Sequence, residues 1–163
     1  MDLDKKDFAL LNALQSNASQ RLEDLAKTVS LAPSSVHDRL RRLQREQVIR
    51  GWTIRVDSAA VGLGVLAFIS CAASRACSAI VPDLESLSAV EECHSVAGEW
   101  CLLLKVRVRD TAALLALVDR LREIPGIEKT ETTIVLKTQL ERPVTANAPR
   151  EKRAAVSAPA LSL

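Results

Sequence analysis

Tyrosine is absent from this chain, and aromatic residues make up only 2% of its 163 positions. So few π-faces exclude a stacking platform for single-stranded nucleic acid. Histidine is scarce too, with His37 and His94 as the whole complement. The four cysteines, Cys71, Cys77, Cys93 and Cys101, contain no Cys-x-x-Cys pair. No metal site and no cofactor is expected from that set, and the thiols read as small buried hydrophobes of a cytosolic protein. A phosphate-cradling glycine loop, a His-Glu-x-x-His motif and a Gly-x-Ser-x-Gly elbow are all missing. No catalytic residue is therefore assigned, and a non-enzyme is expected. The longest apolar run, near residues 61–73, is too short for a membrane span and is broken by Gly62 and Gly64. Asp2, Asp4, Lys5, Lys6 and Asp7 fill the start, so no secretory signal is expected to open the chain. A cytoplasmic protein without a membrane partner is expected.

What is present is 48% hydrophobic and 26% charged, the composition of a soluble globular chain. The formal charge is only +2, but it is unevenly placed. Between residues 33 and 55 six arginines face two acids, whereas residues 58–141 hold eight basic against eleven acidic side chains. A basic module followed by a mildly acidic one predicts two different partners.

The basic module carries the strongest pattern, in residues 22–45. Leu22, Leu25, Ala26 and Val29 repeat at the spacing of one buried helical stripe. Pro33 suits the first position of a second helix, and Val36, Leu40 and Leu43 give that helix its apolar side. An earlier helix over residues 5–14, with Phe8, Leu11 and Leu14 on one side, completes a three-helix core. Two abutting helices of this kind form a helix-turn-helix, whose second helix can enter the major groove of double-stranded DNA. The leading turn lies deepest, so Ser34, Ser35, His37 and Asp38 are candidates for base edges. Arg41, Arg42 and Arg45 lie further along and are assigned to phosphates. Arg39 can instead tie down Asp38 or an acid of a neighbouring helix. Val48, Ile49, Ile54 and Val56, with Gly51 and Trp52 between them, predict a short strand or wing.

The second module alternates strand and helix patterns. Residues 65–71 read as a buried strand, Pro82, Leu84 and Leu87 as a helix of roughly three turns, and residues 90–96 as a strand ending near Gly98. Leu104, Val106 and Val108 alternate with Lys105, Arg107 and Arg109, the mark of a strand with one covered face. Asp110 can cap a helix with the stripe Leu114, Leu117, Val118 and Leu121, closed by Pro125-Gly126. Residues 127–140 form a last strand. The order β-α-β-β-α-β predicts a ferredoxin-like α+β sandwich behind a winged helix-turn-helix. Its open sheet face predicts a homodimer packed sheet to sheet. The expected domains are 1–57 for DNA, 58–64 as linker, 65–141 as the ferredoxin-like domain for oligomerisation, and 142–163 as a disordered tail.

This layout resembles the leucine-responsive regulatory protein/AsnC family of transcription regulators. The resemblance rests on Val36-His-Asp-Arg-Leu-Arg-Arg-Leu43, Val48-Ile-Arg-Gly-Trp52 and the segment Glu92-Cys-His-Ser-Val-Ala-Gly-Glu-Trp-Cys-Leu-Leu-Leu-Lys105. It implies a sequence-specific DNA-binding regulator assembled from dimers, often into octamers. It also implies a small-molecule effector, usually an amino acid, bound by Ser95, Ala97, Gly98, Glu99 and Trp100, with Thr132 and Thr133 nearby. Gly98 would admit a carboxylate to backbone N–H groups, Glu99 would pair with an ammonium, and Trp100 would supply an apolar wall.

Four positions depart from the family pattern. Cys101 replaces the second acid of the turn, and Ala32 replaces a Ser cap. Ser30 and Gln47 stand where the family has glycine. A positive φ at either would cost on the order of 1 kcal/mol. Two other readings of the same plan are a sirohaem decarboxylase-like enzyme and a ligand-independent architectural DNA-binding protein. The first expects a His-Asn-Tyr-type motif where this chain has Val96-Ala-Gly-Glu-Trp-Cys101.

Overall fold

A computed structural model describes residues 2–146. Two compact units divide the chain between Ile54 and Arg55, and the segment from Glu141 groups with the first unit. The tail reading for 142–163 falls largely outside the described residues. Its first positions, 142–146, carry no helix or strand.

The first unit contains helices α1 (Lys5–Ser16), α2 (Leu22–Val29) and α3 (Pro33–Arg45). A capping box starts α1. The Asp7 N–H donates to the Asp4 carboxylate at 2.8 Å, and the Asp4 N–H donates to the Asp7 carboxylate at 3.0 Å. These bonds satisfy amides that a helix start leaves open. The inward stripe of α1 is Asp7, Leu10 and Leu14, which corrects the expected Phe8, Leu11 and Leu14. Phe8 and Leu11 are only half-buried. The stripe is rotated because two arginines of α3 draw the Asp7 carboxylate inward. Leu10, Leu14, Leu25, Ala26, Val29 and Val36 form the core.

No helix or strand occurs between Gln47 and Gly64, so the predicted wing is not formed within this chain. Trp52, Ile54 and Val56 are exposed. Their pattern suits a strand, but a strand needs a neighbour to satisfy its backbone groups, and the single chain provides none there.

The second unit holds β1 (Val65–Ala73), a 3-10 turn (Cys77–Ala79), α4 (Val81–Glu85), β2 (Val90–Ser95), β3 (Leu102–Val108), α5 (Thr111–Glu123) and β4 (Ile127–Ile134). The sheet order is β2-β3-β1-β4 with every neighbouring pair antiparallel. This is the ferredoxin-like split β-α-β pattern. Ala67, Ile69 and Cys71 of β1 and Leu102, Leu104, Val106 and Val108 of β3 face the helices. Leu84, Leu114, Leu117, Val118 and Leu121 cover them.

Two predicted lengths need correction. The helix at Pro82 is five residues after a 3-10 turn rather than three full turns, and no side chain caps its start. The last strand stops at Ile134 rather than at residue 140. Ala67 pairs with Ile134, and the Val135 N–H donates to the Leu66 carbonyl. Since β1 itself begins at Val65, the chain after Val135 has run out of partner.

Candidate DNA interface and effector turn

Helix α3 is held between two tight helix ends. After α2 the Leu31 N–H donates to the Ala26 carbonyl, and after α3 the Val48 N–H donates to the Leu43 carbonyl. Each bond spans five residues and requires a left-handed residue inside it. Ser30 and Gln47 fill those places at φ of 52° and 56°. The strain anticipated for these two non-glycine positions is therefore present. Ala32 precedes α3 with no side-chain bond to the helix start.

The arginines of α3 divide into two sets. Arg39 Nη1 lies 2.6 Å from Asp4 Oδ2 and 2.8 Å from Asp7 Oδ1. Arg42 Nη2 lies 2.6 Å from Asp7 Oδ2. Asp7 is 1% exposed, so this is a buried carboxylate shared by two guanidinium groups. The Asp7 N–H, then Arg39, hold the Asp4 carboxyl below its ordinary range, and Asp4 with Asp7 raise Arg39. Arg42, read from the sequence as a phosphate contact, is committed to α1 through this pair. Its Nε is buried without a partner.

The second set faces outward. Ser34, Ser35, His37, Asp38, Arg41 and Arg45 are all exposed, opposite the buried Val36 and Leu43. Arg45 lies 3.5 Å from Glu46, and His37 is 3.9 Å from Asp38. Arg41 has no ion pair among the described residues. The spacing of Ser34, Asp38, Arg41 and Arg45 places them along one side of the helix. Such a stripe presents short polar groups at its leading end and cations behind them, which suits bases and phosphates respectively.

The predicted effector residues are only partly brought together. Ser95 ends β2, and Ala97, Gly98, Glu99 and Trp100 share the turn into β3. The Val96 N–H donates to the Cys101 carbonyl at 3.0 Å and closes that turn. Gly98 has φ 135°, and a Cβ built there would meet nothing within 4 Å. The backbone at this point is therefore open to close approach. Glu99 is exposed and Trp100 half-buried. Cys101 turns inward, its thiol 3.3 Å from the Cys71 carbonyl, so it offers the turn no acceptor for an ammonium.

Thr132 and Thr133 do not join this group. They sit on β4, at the opposite sheet edge from β2. Thr132 pairs with Ile69 and Thr133 with Phe68, so their side chains point to opposite faces. Strand order separates them from the turn within one chain, which sequence spacing does not reveal.

Three features escaped the sequence reading. The first is the sharing of Asp7 by Arg39 and Arg42: the sequence offers Arg39 an acid of a neighbouring helix but does not reveal that Asp4 and Asp7 are that acid or that Arg42 joins it. The second is a charged ladder on the open sheet face. A register shift between Val90 and Glu92 lets Glu91 and Glu92 both reach Lys105, at 3.5 and 2.9 Å. Glu91 also binds Arg107 at 2.6 Å, and Glu92 binds His94 at 3.0 Å. Lys105, then His94, lower Glu92, and Glu92 raises Lys105. The third is a gathering of all four cysteines around one end of the core. Burial first, then Cys101 and Cys93, push the Cys71 thiol up to about 12.

Comparison with known proteins matches residues 3–44 to the AsnC-type helix-turn-helix domain and residues 65–145 to the Lrp/AsnC ligand binding domain. The HTH-type transcriptional regulator FL11 of Pyrococcus horikoshii is 31% identical over 140 residues, covering 85% of this chain and 93% of that protein. The structure of AsnC from E. coli superimposes with a TM-score of 0.82 at 30% identity, over 89% of this chain and 99% of that one. A feast or famine regulatory protein from M. tuberculosis, solved with L-methionine, gives a TM-score of 0.82 at 33% identity, over 88% and 99% of the two chains. With the fold, the outward face of α3 and these matches in agreement, the chain belongs to the Lrp/AsnC family of helix-turn-helix transcriptional regulators.

Proposed function

We propose that this regulator reads duplex DNA with Ser34, Ser35, His37 and Asp38 of α3 while Arg41 and Arg45 hold phosphates. The observation that carries this reading is the division of α3. Arg39 and Arg42 are spent on the Asp4–Asp7 clamp, and Ser34, Asp38, Arg41 and Arg45 form a solvent-facing stripe in which Arg41 has no ion pair among the described residues. Arg42 thereby moves from phosphate binding to positioning the helix. As a homodimer the protein sets two such helices about one DNA turn, roughly 34 Å, apart. Assembly of dimers toward an octamer follows the family resemblance, and the half-buried Leu66, Phe68 and Leu103 on the open sheet face supply an apolar surface for pairing.

Binding to a selected genomic fragment, followed by fluorescence anisotropy across a salt series, tests the DNA reading. Arg41→Ala should lower affinity and flatten the log–log salt slope by about 0.9 for each of the dimer's two copies. An unchanged slope for Arg41→Ala and Arg45→Ala would remove the assignment.

The effector is an amino acid held at the turn of Ser95, Ala97, Gly98, Glu99 and Trp100. The open backbone at Gly98, the exposed acid of Glu99 and the Trp100 wall support this, together with a relative solved with L-methionine. Since Thr132 and Thr133 lie at the far sheet edge, they reach such a ligand only from another copy of the chain. Thermal-shift measurements against the twenty amino acids check the ligand class, because a ligand that binds only the folded state must raise its stability. No shift with any of them favours the architectural reading instead.

A further inference from the structure

Cys77 opens the 3-10 turn and Cys101 closes the effector turn, yet they meet in space. The Cys77 thiol lies 3.7 Å from the Cys101 carbonyl oxygen, which puts the two residues in direct contact. Both are part-exposed and pack against the same end of the core, whereas Cys71 is fully buried. We propose that Cys77 and Cys101 are an oxidisable dithiol whose intramolecular disulfide ties the 95–101 turn to the 3-10 turn. The site goes beyond the amino-acid reading, since the bond forms whether or not a ligand binds.

The oxidant is a hydroperoxide. Cys77, flanked by the exposed Ala76 and Ser78, meets it first. Its sulfur attacks the outer oxygen, the S–O bond forms and the O–O bond breaks. The released oxygen leaves as water or an alcohol carrying the Cys77 proton. The Cys101 sulfur then attacks the sulfenic sulfur. The S–S bond forms, the S–O bond breaks, and the hydroxyl leaves as water with the Cys101 proton. Two electrons pass from the thiols to the peroxide. Burial first, then the Cys77 contact, push the Cys101 thiol up, so it follows the first oxidation rather than leading it. Cys71 is held inert by its burial.

The sequence makes the test clean. Digestion after Lys, Arg and Glu leaves Cys71, Cys77, Cys93 and Cys101 on four separate peptides, 56–75, 76–85, 93–99 and 100–105. The full chain is treated with hydrogen peroxide, alkylated and digested without reduction. The expected result is an intact-mass loss of about 2 Da and one linked pair, 76–85 with 100–105. Hydrogen exchange at residues 96–101 should slow in the oxidised form. Cys77→Ser and Cys101→Ser should each abolish the link, and Cys93→Ser should keep it. A link to Cys71 or Cys93, a link between chains, or four free thiols after excess oxidant would overturn the proposal. The wild-type peptide map decides the matter even where a variant fails to fold.

Discussion

The two units of this chain solve the problem of stability with different materials. The sheet unit buries a continuous apolar layer, with Ile69, Leu102, Leu104, Val106 and Leu121 fully inaccessible. The helix-turn-helix unit has a smaller core and adds to it a buried acid, Asp7, gripped by Arg39 and Arg42. It also carries two left-handed non-glycine turns and an uncapped recognition helix. A buried ion pair is poor as a source of stability but demanding about geometry. The clamp therefore sets the pose of α3 against α1, whereas the sheet unit keeps its charged ladder on the open face, outside its apolar core.

The sharpest way to break that contrast is Asp7→Ala. Removing the acid leaves two arginines facing one buried site and dismantles the capping box. Loss of one partner of a buried pair costs about 3–5 kcal/mol. Hydrogen exchange on the full chain should show α1, α2 and α3 losing protection while β1 and β3 keep theirs. DNA binding should fall with them. If both units lose protection equally, they are not energetically distinct.

The reciprocal change is Leu104→Ala, which opens a cavity in the middle of β3 and costs about 2–5 kcal/mol. The expected loss of protection is confined to the sheet and α5. Between these extremes lie Ser30→Gly and Gln47→Gly. Each relieves a left-handed side chain and should stabilise the first unit by about 1 kcal/mol. Urea titration followed through α1 to α3 measures the gain, and a loss at either site would show that the side chain does more than occupy the turn.

Much of this design was readable in advance, and the misses have a common cause. The start of α3 at Pro33 and the covered face of β3 were visible because helical and strand periods are local. The inward turn of Asp7 was not, because an acid counts as a surface residue until its partners on another helix are known. The 48–56 segment has a strand's composition without a strand's neighbour. Residues 135–140 continue the apolar alternation past the point where β1 can pair with them. Thr132 and Thr133 were placed near the effector turn by analogy, and strand order sets them at the far edge. The meeting of Cys77 and Cys101 likewise depends on tertiary placement.

The smallest expected effect separates charge from capping at the same helix start. Asp4→Asn keeps an N-cap acceptor for the Asp7 N–H, since Asn caps as well as Asp, but removes the charge facing Arg39. Asp4 is half-exposed, so solvent screens the pair and the loss at neutral pH should stay below about 1 kcal/mol. The sign of its pH dependence is fixed by the depressed Asp4 carboxyl. A carboxylate whose folded-state pKa lies below its unfolded value stabilises the fold fully above the ordinary carboxylate range. That contribution fades as pH falls through the lowered folded value. Wild type and Asp4→Asn should therefore differ in α1 and α3 protection at neutral pH and converge in acid. The sheet unit should serve as the internal control, unchanged by the substitution at either pH. A gap of the same size in acid would mean that Asn disturbs the cap itself and that the Asp4–Arg39 charge pair contributes nothing measurable.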